Sequence, residues 1–209
     1  LEIKIKDHFI SIDREPIAAA SLAQVHKARL QNGEDVALKI QRPDIKETIE
    51  ADIMVMKQIA RSLEKHSANA KAFQPMRIVE SFEQSIQEEL QFLKEIEHME
   101  RFAKNFKDNE DIYVPKVYRE LSSDRLICME YIEGIKISEV EKLKALDIDC
   151  KMVAKVGVDL YMEQVLEHGF FHADPHPGNL FVLPDRDQIC FLDYGMMGTL
   201  LPKDKELLS

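Results

Sequence analysis

The residues best equipped for chemistry lie in one short run, His172-Ala173-Asp174-Pro175-His176-Pro177-Gly178-Asn179, with Asp193-Tyr194-Gly195 following shortly after. Three chemistries fit them. On an extended segment, H-x-D-x-H would put His172, Asp174 and His176 on one face as metal ligands. Pro175 and Pro177 oppose a regular strand there, and no distant His or Cys completes the set. A capped turn would instead spend the histidines on neighbouring backbone groups. The third is transfer of a phosphoryl group. Asp174 would accept or orient a proton at the nucleophile, Asn179 would offer a neutral oxygen from the far side of the loop, and Asp193 would offer an anionic one. Two hard oxygen donors plus phosphate oxygens suit Mg²⁺, which keeps several waters and seldom needs an all-protein cage.

The spacing favours the third reading. Kinases place Asp and Asn five residues apart in H-R-D-x-x-x-x-N and follow them with D-F-G. Here Asp174 and Asn179 keep that interval and Asp193 opens D-Y-G. Such a site needs a lysine for the phosphates, and Val36-Ala37-Leu38-Lys39 has the form of the kinase V-A-I-K strand. Alone, a lysine ending an apolar strand is a solvated edge residue; with the two downstream motifs it becomes the expected phosphate ligand. Its carboxylate partner is expected in Gln87-Glu88-Glu89-Leu90. Glu89 is the choice because it adjoins the apolar-face residue Leu90, with Glu88 as the alternative.

The elements that must position these groups can be read from periodicity. Leu1, Ile3 and Ile5 alternate with charges, and Leu22–Leu30 and Val36–Ile40 flank Asn32-Gly33, a strong hairpin signal. Asp44 is placed to cap a helix carrying Ile45, Ile49, Ile53, Met56, Ile59 and Leu63, which ends near His66. A second helical pattern, from about Met76 to Phe106, would be about 45 Å long if continuous, so it must cross the domain or break. Strands are predicted at Tyr113–Tyr118 and Arg125–Tyr131. Ser138-Glu139-Val140-Glu141 offers a capping box for a short helix, and Cys150–His168 reads as a helix closed by Gly169. Leu180–Leu183 and Gln188–Leu192 form a second hairpin. The order is a mostly β half carrying helices, residues 1–132, then a mostly helical half, residues 133–209.

Composition narrows the partners. The chain has 209 residues, 45% apolar and 32% charged, with a formal net charge of −10, a globular and acidic profile. That charge excludes the electrostatic footprint of a nucleic-acid binder and leaves no polybasic patch for anionic lipid. No apolar run approaches the roughly 18 residues of a membrane span. The first residue is Leu1, which predicts a piece of a longer chain, inactive by itself if the rest is needed. Cys128, Cys150 and Cys190 are far apart and read as reduced structural thiols. The 7 glycines form neither G-x-G-x-x-G nor a P-loop, which on its own argues against a nucleotide.

The motifs reverse that last inference. Pro16-Ile17-Ala18-Ala19-Ala20-Ser21-Leu22-Ala23-Gln24-Val25-His26, Val36–Gln41, Glu89-Leu90, His172–Asn179 and Asp193–Gly195 resemble the UbiB family of atypical, protein-kinase-like proteins across nearly the whole chain. The resemblance implies a bilobal α+β fold of the protein-kinase type with a β-rich N-lobe, family-specific helices and a partial C-lobe. It implies ATP and Mg²⁺ as cofactors, ATPase activity rather than ordinary protein phosphorylation, and a role in ubiquinone or related isoprenoid-lipid synthesis. By resemblance, Ala18, Ala19, Ala20, Ser21 and Val25 lie at the nucleotide and Lys39 at its phosphates, with Glu89 as the lysine's partner. Asp174 takes the catalytic-loop role, Asn179 and Asp193 bind metal, and Glu130, Tyr131 and Ile132 form the hinge beside the adenine. Glu95 resembles a second acidic position that pairs with an upstream K-x-G-Q lysine, a motif not found in this chain. Implied partners are lipids, quinone-pathway proteins or a membrane. The implied location is membrane-associated, on the cytoplasmic side in a bacterium or in a mitochondrion or plastid. Alanine methyls in place of glycine restrict φ and limit backbone approach to phosphate, which predicts an altered nucleotide preference or a block on ordinary kinase activity. Two alternatives stay open: a small-molecule phosphotransferase of the aminoglycoside or choline kinase type, and a nucleotide-gated lipid-binding scaffold that does not transfer phosphate.

Overall fold

The computed structural model describes residues 5–66, 72–201 and 203. Leu1 and Ile3 of the expected first strand lie outside these residues, and Ile5 opens a helical turn, α1 (Ile5–His8), that leads into β1 (Phe9–Ile12). The alanine run forms β2 (Ala18–Ala19), which folds back on β3 (Ala23–Leu30). Asn32-Gly33 makes the predicted turn into β4 (Asp35–Gln41), with Gly33 at φ 89, a conformation that costs glycine little. Together with β6 (Leu126–Glu130), these strands form an antiparallel sheet ordered β1-β3-β4-β6, with β2 on the β3 edge. The register sets Lys39 between Val25 and Ile127.

Helix α2 (Ile45–His66) begins as its periodicity predicts, after Asp44 at φ 55. The long helical pattern breaks. Helix α3 (Pro75–Glu89) stops at Leu90, Gln91 is non-helical at φ −91 and ψ 79, and α4 (Phe92–Asn105) starts afresh. Leu22, Ile49 and Ile53 pack with Ile86 and Leu90, so the apolar side chain at the break is spent on the α2–α3 contact. Helix α4 then buries Phe92, Ile96, Met99 and Phe102 along one face, against Ile127 and Met129 of β6 and Phe170, Phe191 and Tyr194 from later in the chain. One cluster therefore ties the sheet to the segment around Phe170–Tyr194 through α4.

The strand predicted at Tyr113–Tyr118 shrinks to β5 (Ile112–Tyr113), because Pro115 cannot donate to a ladder. Strand β5 pairs in parallel with β10 (Gln188–Phe191) in a second sheet ordered β5-β10-β9-β7, where β7 is Ile135–Lys136 and β9 is Leu180–Leu183. The capping box at Ser138 does not form: α5 (Val140–Ala145) starts later, and Glu139 bonds the Lys142 ammonium at 2.6 Å instead. Asp149 caps α6 (Cys150–Met162) by accepting from the Lys151 N–H at 2.8 Å. The helix continues as a wider π-turn over Glu163–His168 and ends at Gly169, whose φ of 57 is the expected left-handed close. Strand β8 (Phe170–His172) then pairs with β11 (Met197–Thr199). All three cysteines are free thiols, and burial pushes Cys128 up to about 12. Among the described residues no helix is long and apolar enough to cross a membrane.

Candidate active site

Lys39 ends the inward face of β4 with its ammonium 2.7 and 2.9 Å from the two carboxylate oxygens of Glu95 and 3.4 Å from Oδ1 of Asp193. The sequence expectation that Glu89 is the partner is therefore corrected to Glu95. The break at Leu90-Gln91 is the reason. Glu89 is the last residue of α3, whereas Glu95 lies one turn into α4 on the same face as Phe92, Ile96 and Met99. Glu88, the alternative, is on the surface beside Lys94 at 3.6 Å. The resemblance pairs Glu95 with an upstream lysine, whereas its carboxylate is taken by Lys39. A carboxylate in the middle of an apolar helical stripe was the signal available in the sequence.

Burial opposes charge on all three groups; attraction prevails for Lys39 and Asp193, and burial prevails for Glu95. Desolvation pulls the Lys39 ammonium down, but Glu95 and Asp193 outweigh it and hold the pKa above the usual lysine value. Burial likewise pushes Asp193 up, yet Lys39 and the Gly195 N–H at 3.0 Å keep it below the ordinary carboxylate range. Glu95 is pushed up by burial. Glu89 is half-buried and also pushed up, by desolvation and then by the negative charge of Asp193, with Asp174 adding to it. Glu89 thus belongs to the same electrostatic neighbourhood without being bonded to Lys39.

The catalytic-loop candidates are joined to the D-Y-G turn through His172. Its Nε2–H donates to the Asp193 carbonyl at 2.6 Å, and its Nδ1 accepts the Asp174 N–H at 3.2 Å. The two bonds fix one neutral tautomer, and burial depresses the ring's pKa. Phe191 stacks on the ring at 5.5 Å, and the His172 N–H donates to Oε1 of buried Gln164 at 2.9 Å. Gln164 sits in the π-turn, which was not legible from the helical pattern. With both ring nitrogens engaged, His172 is lost to the H-x-D-x-H metal reading, and His176 has its Nδ1 taken by the Gly178 N–H at 3.0 Å. Among the described residues no three His, Cys, Asp or Glu side chains group to hold a metal ion. Asp174 is exposed, and Asn179, in a 3-10 turn, is half-buried with its carbonyl accepting the Leu192 N–H at 3.0 Å. That bond sets the start of the loop's exit strand against the approach to Asp193.

Above the site, Ala18 pairs with Val25 and Ala19 with Gln24, and Ala18–Ser21 is exposed. Arg42, not singled out in the sequence, donates from Nε and Nη2 to the Ala20 carbonyl at 3.2 and 3.1 Å and holds the alanine turn. At the end of β6 the Glu130 carboxylate turns toward β5. It accepts the Tyr113 hydroxyl at 2.5 Å and the Lys116 N–H at 3.2 Å, with Arg186 at 3.7 Å. The Glu130 and Tyr131 N–H groups donate to the Lys116 and Asp35 carbonyls, so neither donor is free for a base, and Ile132 follows half-buried. Glu130 and Tyr131 keep their carbonyls, not their amides, as the backbone groups they can offer a ligand.

A strand lysine held by a helix carboxylate, above an H-x-D loop bonded to a D-Y-G turn, is the arrangement of the protein-kinase-like class. The model for the ABC1 atypical kinase-like domain matches residues 1–209, and the chain belongs to that family. It is similar to the probable protein kinase UbiB of Aliivibrio fischeri, 40% identical over 205 residues, covering 96% of this chain and 38% of that one. The chain thus spans about two fifths of that relative's length. Among solved structures it is similar to Rv3197 of Mycobacterium tuberculosis, determined with erythromycin, at a TM-score of 0.78 and 29% identity, covering 94% of this chain and 48% of that one. The Rio2 kinase of Chaetomium thermophilum, determined as an ADP/Mg²⁺-phosphoaspartate complex, shares the fold at a TM-score of 0.50 and 14% identity, covering 97% of this chain and 52% of that one. The fold is kinase-like.

Proposed function

We propose that this domain binds ATP with Mg²⁺ and transfers or hydrolyses its terminal phosphate, in the service of ubiquinone or related isoprenoid-lipid synthesis. The lipid role rests on membership of the family; the nucleotide role rests on one observation, the Lys39 ammonium held between Glu95 and Asp193. A buried cation with a fixed anchor on one side and a more exposed carboxylate on the other can turn toward phosphate oxygens without leaving its partner.

The donor set fits Mg²⁺. Asp193 is 41% exposed and kept ionised by Lys39, and Asn179 supplies a neutral oxygen across the loop. Asp193 and Asn179 would hold the Mg²⁺, which would supply positive charge against the negative charge that develops on the phosphate. Lys39 orients the phosphates, Ala18–Ser21 covers them, and Asp174 takes or aligns the proton of the attacking hydroxyl or water at its carboxylate. Val25 and the hinge at Glu130–Ile132 flank the base, the hinge through its carbonyls. The two amides already spent on the sheet limit how many hydrogen bonds that base can receive.

The test is calorimetric titration with Mg-ATP, paired with turnover, in the full-length protein. Asp193→Asn should abolish Mg-dependent binding. Asp174→Asn should keep binding within about threefold and lower turnover by at least about a hundredfold, the usual effect of removing a general acid or base. Unchanged Mg-ATP affinity in a folded Asp193→Asn protein defeats the metal assignment. Turnover that survives Asp174→Asn defeats the role given to Asp174, and Mg-ATP binding with no turnover above background points to the scaffold alternative.

A further inference from the structure

The D-Y-G turn is held from a direction that the catalytic loop does not supply. His98, on α4 one turn beyond Glu95, donates from Nδ1 to the Tyr194 carbonyl at 2.9 Å. Glu95 Oε1 accepts the Tyr194 N–H at 3.4 Å, so both backbone groups of Tyr194 are tied to α4. From the other side, His172 holds the Asp193 carbonyl. The His98 ring stands against Phe170 with centroids 5.8 Å apart.

The turn needs such a tie. Tyr194 is fully buried, and its hydroxyl has no hydrogen-bond partner among the described residues. A buried unmatched hydroxyl favours any rearrangement that returns it to water. Swinging Tyr194 out would carry the neighbouring Asp193 away from Lys39 and Asn179. The opposing interactions are aromatic packing against Phe102, 5.2 Å between centroids, and the backbone bonds from Glu95, His98 and His172. Of those three side chains, Glu95 is already committed to Lys39 and His172 to the catalytic loop, which leaves His98 with the Tyr194 carbonyl as its polar contact.

We propose that His98 is a positioning residue that ties the Asp193-Tyr194-Gly195 turn to α4 and so keeps Asp193 where it can hold a metal. The consequence for Mg²⁺ rests on the nucleotide reading above; the tie itself does not. His98→Ala in the full-length protein should speed amide exchange of the segment spanning Asp193–Gly195, without nucleotide, by roughly three- to tenfold, the range for one net hydrogen bond. The β9–β10 hairpin should not change. The Mg²⁺ concentration for half-maximal ATP binding should rise by a similar factor. His98→Asn, whose Nδ2 can occupy the place of Nδ1, should restore both. If His98→Ala does not fold, His98→Leu keeps bulk against Phe170 and lacks the donor. Unchanged exchange at the turn overturns the proposal, as does loss of thermal stability with the exchange and the Mg²⁺ midpoint unmoved. A wild-type protein that fails to bind Mg-ATP defeats the nucleotide reading alone, since the exchange measurement still decides the tie.

Discussion

Replacing Glu95 by Gln is the sharpest test of how this site is assembled. Lys39 and Glu95 are 14% and 4% exposed, and they share two hydrogen bonds at 2.7 and 2.9 Å. The substitution removes the charge and leaves an amide with one oxygen and one NH₂ group, which repels the ammonium. Breaking a buried pair from one side costs about 3–5 kcal/mol. The retained amide oxygen offsets roughly 1 kcal/mol of that, so a net loss of about 2–4 kcal/mol is expected. Domains of this size have about 5–15 kcal/mol of stability, so the variant should still fold and the loss is readable from urea unfolding. A second effect accompanies it. Lys39 then has Asp193, at 3.4 Å, as its remaining carboxylate partner, and that pairing competes for the group needed by the metal. Mg-ATP affinity should fall by about tenfold or more, a change of about 1.4 kcal/mol.

Two further proteins turn this into a cycle. Glu89→Gln, at a half-buried carboxylate with no bonded cation, should change stability by no more than about 1 kcal/mol. Lys39→Met combined with Glu95→Leu should recover most of the stability lost by Glu95→Gln, because no charge is left stranded, while nucleotide binding disappears. If Glu89→Gln is the costly change and Glu95→Gln falls within about 0.5 kcal/mol of the parent, the pairing described here is wrong.

Acid should weaken the fold through His172. Burial depresses its pKa below the unfolded value of 6.5, so the unfolded chain takes up the proton first, and stability drops as pH falls below 6.5. The slope is at most about 1.4 kcal/mol per pH unit, and it should flatten in His172→Asn when unfolding midpoints are compared between pH 7 and 5.5. In the alanine turn, Ala19→Gly removes a methyl from the strand edge opposite Gln24 and should alter the ratio of ATP to ADP affinity by calorimetry. Equal affinities for both nucleotides before and after would show that the methyl does not tune the site.

The chemistry-bearing residues were legible because their spacing is local. Asp174 and Asn179 belong to one loop, Asp193 opens a tripeptide, and the hairpin that delivers Lys39 is announced by Asn32-Gly33. The partner of Lys39 was not legible because the apolar period runs unbroken from Met76 to Phe106 and does not say where the helix breaks. Periodicity reports which side chains face the core, and both α3 and α4 satisfy it. The break at Gln91, φ −91 and ψ 79, contains neither proline nor glycine and comes from tertiary packing of Leu90 with Ile86 against α2. That one irregularity moved the lysine's partner by six residues. The roles of Arg42, His98 and Gln164 were illegible for a related reason. Each acts on a backbone group brought near only by folding, across separations that no local pattern encodes.

The break also determines what kind of ligand the cleft can accept. With Glu95 turned inward and Glu89 left at the end of α3, Glu89, Glu95 and Asp193 act around the Lys39 ammonium, and Asp174 adds its charge at Glu89. His172 adds no positive charge, because burial and its two hydrogen bonds keep it neutral. A bare polyphosphate entering this field meets more repulsion than one lysine can offset, and a polyphosphate already carrying a divalent cation does not. On the proposed function, free ATP should therefore bind far more weakly than Mg-ATP, and Glu89→Gln should narrow the gap by removing one of the opposing charges. The Glu89 pKa is raised first by desolvation and then by the field of Asp193, and that second part is the same repulsion registered on the protein's own carboxyl. A cation that relieved it would draw Glu89 back toward its ordinary value, a shift that carboxyl NMR titration with and without Mg-ATP can follow.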